Sequence, residues 1–198
     1  MIVVQYYHAL GAENFDARGV SQPVVCGLSV GGQIALGLAQ RRPDLVRTLI
    51  LSDTAHKIGT AETWNARITA VESGGIESIG DAVMERWFSP EYRRDQPAAL
   101  KVWRNMLVRT PVDGYTGTCA ALRESDLTAA ARGIAVPTLC LCGALDLATP
   151  PELVRSMAEI IPGARFNLIP CAGHLPGIEF PDLVADLIAD FARESAFA

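Results

Sequence analysis

Pro23-Val-Val-Cys-Gly-Leu-Ser29-Val-Gly-Gly-Gln-Ile-Ala-Leu-Gly-Leu-Ala-Gln40 decides the fold. Residues 23–28 are a short apolar run of the length of a buried strand. The stretch from Val30 onward reads as a helix that stops near Pro43. Between them, Gly27-Leu28-Ser29-Val30-Gly31 sets a serine on a sharp strand-to-helix turn. Such a turn strains the serine backbone, so its neighbours must be small, and it lifts the hydroxyl clear of the sheet. Gly27 and Gly31 meet that need, and Gly32 lets the helix pack closely.

Further apolar runs lie downstream. Residues 46–51 predict a second strand ending at Ser52-Asp53, residues 137–142 a third and residues 164–169 a fourth. Thr149-Pro150-Pro151-Glu152 has the spacing of a capping box with proline at the first helical position, opening a helix that ends at Pro162-Gly163. Leu183, Leu187, Ile188 and Phe191 recur at helical spacing near the C-terminus. Strands that alternate with helices argue for a parallel α/β sheet.

Residues 57–132 differ, with no convincing strand. Trp64, Ile68 and Val71 share one helix face, broken by Gly74-Gly75. Ile76, Ile79, Val83 and Trp87 share a second, Leu100, Trp103 and Leu107 a third, and Tyr115, Cys119 and Leu122 a fourth. The segment reads as a helical cap over the sheet. The core is then residues 23–56 with 133–198, and residues 1–22 form an atypical N-terminal segment.

Composition narrows the function. The 198 residues are 49% hydrophobic, with 17 basic and 22 acidic residues and a net charge of −5. Without a basic block, a nucleic-acid or anionic-membrane surface is excluded as a partner. No apolar run has the ~20 residues of a membrane span, and the N-terminus lacks the basic and apolar regions of a secretory signal. Five cysteines, an odd number in a chain large enough to build a core, read as reduced thiols of a cytoplasmic protein.

A serine hydroxyl is a weak nucleophile that needs a base, and the base needs an orienting acid. Of three histidines, only His174, in Ala172-Gly173-His174-Leu175-Pro176, follows a predicted strand end, where sites of open α/β sheets gather. Asp146 follows the third strand and Asp53 the second, so both compete for the acid role. The N–H of Val30, at the start of the helix, is placed to meet an oxyanion. Cys140 and Cys142 share a strand face, most simply the core. Cys171 with His174 makes a conceivable thiol alternative to Ser29, but two such groups do not make a metal site.

These motifs resemble the α/β-hydrolase superfamily, and within it the 3-oxoadipate enol-lactonases of the β-ketoadipate pathway of aromatic breakdown. Cys26-Gly27-Leu28-Ser29-Val30-Gly31-Gly32, the Gly143…Asp146…Thr149-Pro150-Pro151 stretch and Ala172-Gly173-His174-Leu175 carry the general resemblance. Trp64-Asn65-Ala66-Arg67-Ile68, Glu85-Arg86-Trp87-Phe88, Gly114-Tyr115 and Cys119-Ala120-Ala121-Leu122-Arg123 resemble the lactonase cap. The order Ser29, Asp146, His174 is that of the superfamily's triad. The resemblance implies a partial α/β-hydrolase fold, a parallel sheet with flanking helices and a helical cap insertion. It further implies serine hydrolysis of an enol-lactone with no cofactor and no metal. A carboxylesterase, a cofactor-free perhydrolase or an inactive truncated module are the alternatives. The substrate's carboxylate calls for cap cations, with Arg67, Arg86 and Arg123 as candidates and Trp64 and Trp87 as apolar walls.

Only 28 residues precede Ser29, where the full fold places four strands, a helix and an oxyanion loop. The chain therefore reads as an N-terminally shortened member. Asp16-Ala17-Arg18-Gly19 faintly resembles a D-x-R-G element of the family. An uncovered Val24-Val25-Cys26 edge would invite self-association, unless Ile2-Val3-Val4 fills it.

Overall fold

The computed structural model describes residue 13 and residues 17–195. Among these, four parallel strands form one sheet in sequence order. They are β1 (Val24–Leu28), β2 (Thr48–Ser52), β3 (Thr138–Gly143) and β4 (Arg165–Ile169). Each lies within two residues of its predicted run. In register, Cys26 faces Ile50, Leu51 faces Cys140 and Cys142 faces Leu168.

β2 and β3 are buried at every position. Their unbroken apolar runs follow from helices on both faces of the sheet. Because side chains alternate along a strand, Leu49, Leu51, Cys140 and Cys142 pack on one face, as expected for the two cysteines. There they meet Leu36 and Leu38 of α1 (Val30–Arg41) and Val154 and Met157 of α8 (Pro151–Ile160). Ile50, Leu139 and Leu141 point the other way, against Val184 and Phe191 of α10 (Pro181–Glu194). The apolar stripe of α10 is rotated from the predicted one, since Leu183 is 44% exposed.

Between β2 and β3 the chain is helical, with α2 (Ala61–Gly74), α3 (Gly80–Trp87), α4 (Pro90–Asp95), α5 (Pro97–Val108), α6 (Val112–Glu124) and α7 (Thr128–Arg132). Val71, Ile76, Val83, Met84, Phe88 and Leu107 give this region a core of its own. The single helix predicted through Ile76 and Trp87 is instead a 3-10 turn, Ile76–Ile79, followed by α3. Tight 3-10 turns rarely exceed 3–4 residues, and the backbone relaxes into α geometry at Gly80. Two further short helices were not legible as periodic patterns. α4 is started by Ser89, whose Oγ accepts the Tyr92 N–H, with Pro90 at its first position; α9 (Pro176–Glu179) follows His174.

The predicted capping box at Thr149 does not form. Pro150 is the N-cap of α8, with Pro151 at its first position, and the Thr149 hydroxyl bonds to Asp146 instead. β1 is the outer strand among the described residues, with Val24 and Val25 half-buried and Cys26 exposed. Ile2-Val3-Val4 and Asp16 lie outside the described residues. Among the described residues, no helix is long and apolar enough to cross a membrane.

Candidate active site

Ser29 sits between β1 and α1 with φ 54 and ψ −123, in the left-handed region. For a residue with a Cβ that conformation costs about 1–3 kcal/mol, so the surroundings must impose it. They do so at both ends of the residue. The Ser29 N–H donates to Ser52 O at 3.0 Å, which ties the turn to β2. The Ser29 carbonyl accepts from Gly32 N at 2.9 Å, Gln33 N at 3.3 Å and the Thr54 hydroxyl at 2.6 Å. A Cβ on Gly27 would overlap the carbonyl of Gly31, which is why this arm of the turn carries hydrogen alone. Val30 opens α1, so its N–H belongs to the first turn, which has no partner inside the helix.

His174 is delivered by the loop after β4 and is 2% exposed. Its Nδ1 lies 2.8 Å from Asp146 Oδ2. Asp146, on the loop after β3, is 1% exposed and well supplied with donors. Its Oδ1 accepts Ala148 N at 2.7 Å and Thr149 N at 3.0 Å, and its Oδ2 accepts the Thr149 hydroxyl at 2.6 Å. The network assigns the Nδ1–H tautomer to His174, leaving Nε2 with its lone pair. The two loops are locked together, because Leu145 N donates to Ala172 O at 2.8 Å and a Cβ on Gly143 would overlap the Gly173 carbonyl.

Of the two competing aspartates, it is Asp146 that the imidazole bonds. Asp53 is fully buried with φ 47. Its Oδ1 accepts Gly143 N at 2.8 Å and its Oδ2 accepts the Ser52 hydroxyl at 2.6 Å. Burial pushes the Asp53 carboxyl well above the usual carboxylate range, and the nearby Asp146 charge adds to the shift.

The cap reaches into this site. His174 N donates to Trp87 O at 2.9 Å, and the Trp87 and His174 rings stack with centroids 6.3 Å apart. Glu179 of α9 accepts Gly173 N at 2.9 Å and Ser89 N at 3.2 Å, and also the Ser89 hydroxyl, so one carboxylate joins the histidine loop to the cap. Ser29, Val30 and His174 open onto a cavity of about 420 Å³ that the cap roofs with Trp64, Trp87, Arg67, Arg86 and Tyr115. Trp64 is fixed by its Nε1–H, which donates to Ile58 O at 2.6 Å. Arg67 donates to the Tyr115 hydroxyl at 3.3 Å. Among the described residues no carboxylate pairs with Arg67 or Arg86. Burial and the neighbouring Arg67 charge hold the Arg86 guanidinium below its ordinary value.

Arg123 departs from expectation. It does not line the cavity, and its guanidinium bonds Asn65 at 2.6 Å and Glu124 at 2.8 Å. Cys171 is exposed with φ 63 and does not line the cavity either. Asp53, Cys142 and Asp146 bring ligand atoms within 4.8 Å of one another. Burial, then the two carboxyls, push the Cys142 thiol far up, and Asp146 already holds four donors. That set suits hydrogen bonding rather than metal ligation. Sequence reading placed Thr149 and Tyr115 in family-like motifs without giving either a role at the site, and it missed Glu179, whose only signal was its position near His174.

Residues 3–187 match the alpha/beta hydrolase family. The chain belongs to that family. It is 31% identical over 180 residues to 3-oxoadipate enol-lactonase 1 of Acinetobacter baylyi, covering 90% of this chain. The enol-lactonase of Burkholderia xenovorans superposes with a TM-score of 0.91 at 33% identity, over 96% of this chain and 73% of that one. A thermophilic esterase of Thermogutta terrifontis superposes at 0.83 with 30% identity, over 91% of this chain and 68% of that one. The chain spans 66% of the length of the first Acinetobacter lactonase and 62% of the second.

Proposed function

We propose that this alpha/beta hydrolase cleaves an enol-lactone bearing a carboxylate, 3-oxoadipate enol-lactone to 3-oxoadipate, through Ser29, His174 and Asp146. The observation that carries the reading is the cavity itself. Ser29 on a strained turn and His174, bonded to the buried Asp146, share it with Arg67 and Arg86, which pair with no carboxylate among the described residues. Similarity to two Acinetobacter lactonases supports the same choice of substrate.

Ser29 Oγ attacks the ring carbonyl while His174 Nε2 takes its proton, because Nδ1 is committed to Asp146. Asp146 stays ionised and stabilises the imidazolium. The tetrahedral oxyanion meets the Val30 N–H at the positive end of α1. Collapse breaks the ring C–O bond; His174 returns the proton to the departing enol oxygen, and the enol tautomerises to the ketone. Water, deprotonated by His174, then cleaves the acyl-enzyme and restores the serine. The remote carboxylate of the substrate pairs with Arg67 and Arg86, with Trp64 and Trp87 as apolar walls. No step requires a metal or an organic cofactor. Five free thiols suit a cytoplasmic setting.

The test is labelling with a fluorophosphonate, read by intact mass, beside Ser29→Ala. Adduct formation in the parent and none in the variant, with unchanged circular dichroism, is the expected result. Turnover of the carboxylate-bearing lactone should exceed that of a neutral acetate ester. A preference for the neutral ester would point to a carboxylesterase instead, and labelling that survives Ser29→Ala would remove Ser29 from the mechanism.

A further inference from the structure

Asp53 is a buried acid that the proposed mechanism does not use. It follows β2, the strand flanked by β1 and β3, and neither Asp53 nor Asp146 lines the cavity. Its neighbours are defined from every side. From the end of β2 comes the Ser52 hydroxyl at 2.6 Å, and from β3 the Gly143 N–H at 2.8 Å. Cys142 and Asp146 place Sγ and a carboxylate oxygen within 4.8 Å of the Asp53 carboxyl. His174 and, from the cap, Arg86 act on the pair through Asp146.

The donors are divided unequally. Asp146 receives two backbone N–H groups, one hydroxyl and the imidazole N–H. Asp53 receives one N–H and one hydroxyl, and neither donor is charged. Two buried carboxyls with oxygens within 4.8 Å do not both ionise, because the second charge is neither solvated nor paired. The negative charge therefore belongs on Asp146, where the donors are, and the proton on Asp53.

We propose that Asp53 is a positioning residue that remains protonated at neutral pH and donates its proton to Asp146, so that the two form one acid unit with a single charge. Asp53 touches neither substrate nor Ser29. It gives Asp146 a fifth hydrogen bond and fixes the carboxylate plane against His174 Nδ1. The role rests on Asp146 being the acid of the triad, but the protonation state itself can be read without any activity.

Carbon-13 NMR of the unmodified chain, labelled at aspartate carboxyls, tests the proton directly. One carboxyl carbon should keep its protonated shift through neutral pH while the others titrate in acid, and Asp53→Asn should remove that signal. A spectrum in which every aspartate has ionised by neutral pH overturns the proposal, as does a protonated signal that persists in Asp53→Asn. The second arm is the pH profile of fluorophosphonate labelling at Ser29. Asn is neutral and still donates, so Asp53→Asn should leave the acid limb in place and keep the plateau rate. Asp53→Ala should lower the plateau several-fold. If Asp53 were ionised, its replacement by Asn would remove a negative charge near the imidazolium and move the acid limb to lower pH. Equal plateaus for Asn and Ala would also count against the positioning role. Failure of all labelling would remove the proposed hydrolysis while the carboxyl spectrum still decided the proton.

Discussion

Ser29, Asp53 and Asp146 show how little of a residue's chemistry lies in its identity. Ser29 differs from other serines through its backbone, φ 54, held by the Thr54 hydroxyl and the Ser52 carbonyl. The two aspartates have one side chain and two fates. Asp146 receives donors from Ala148, Thr149 and His174, whereas burial with fewer donors favours the neutral form of Asp53. This difference predicts a pH dependence of stability. A buried acid whose native pKa is raised is protonated when folded and ionised when unfolded, above about pH 4. In that window the native state holds more protons, so the contribution of Asp53 to stability falls as pH rises. Asp53→Asn lacks this penalty. Its stability relative to the parent should therefore increase steadily from about pH 4 to neutrality, measured by urea unfolding at several pH values. A constant difference across that range would mean that Asp53 titrates alike in both states.

At the scale of elements, the contact between α1 and β2 determines how the serine is presented. Gly32 faces Thr54 so closely that a Cβ there would come within 2.8 Å of Oγ1, the atom that holds the Ser29 carbonyl. Gly32→Ala should cost about 1–3 kcal/mol through overpacking, and should slow labelling at Ser29 as well. Thr54→Ser removes the methyl that meets the new Cβ but keeps the hydroxyl, so the double variant should recover part of both losses. Denaturant unfolding and labelling rates together check this. The strands were legible here because β2 and β3 are buried on both faces and read as continuous apolar runs. The short helices α4 and α9 were not, because four to six residues carry no helical period and their starting prolines read as breaks.

Over the whole molecule, the cap and the sheet share one cavity and are joined at its rim. Trp87 accepts the His174 N–H, and Glu179 bonds both Gly173 and Ser89, so the histidine loop and cap hold one another. The roof contributes charge where the floor contributes the nucleophile. Arg86→Gln should raise KM for a carboxylate-bearing lactone by about 10–100-fold, the worth of one charge-assisted hydrogen bond, and change KM for a neutral ester little. Equal losses on both substrates would assign Arg86 to the architecture of the cap rather than to substrate choice.

The strand–turn–helix around Ser29, the core runs and the helical cap were determined by local sequence, because burial and backbone strain leave patterns within a few residues. His174 was singled out by its place after a strand. The order of Ser29, Asp146 and His174 along the chain agreed with a known family. The tertiary structure alone decided which aspartate meets His174, since Asp53 and Asp146 both follow strands and only the packing of the loops after β3 and β4 distinguishes them. It also turned Thr149 from an expected helix cap to a donor for Asp146, and Arg123 from an expected substrate ligand to a partner of Asn65 and Glu124. The reason is common to all three. A polar side chain is assigned by the nearest donors and acceptors in space, and here those come from segments far apart in the chain.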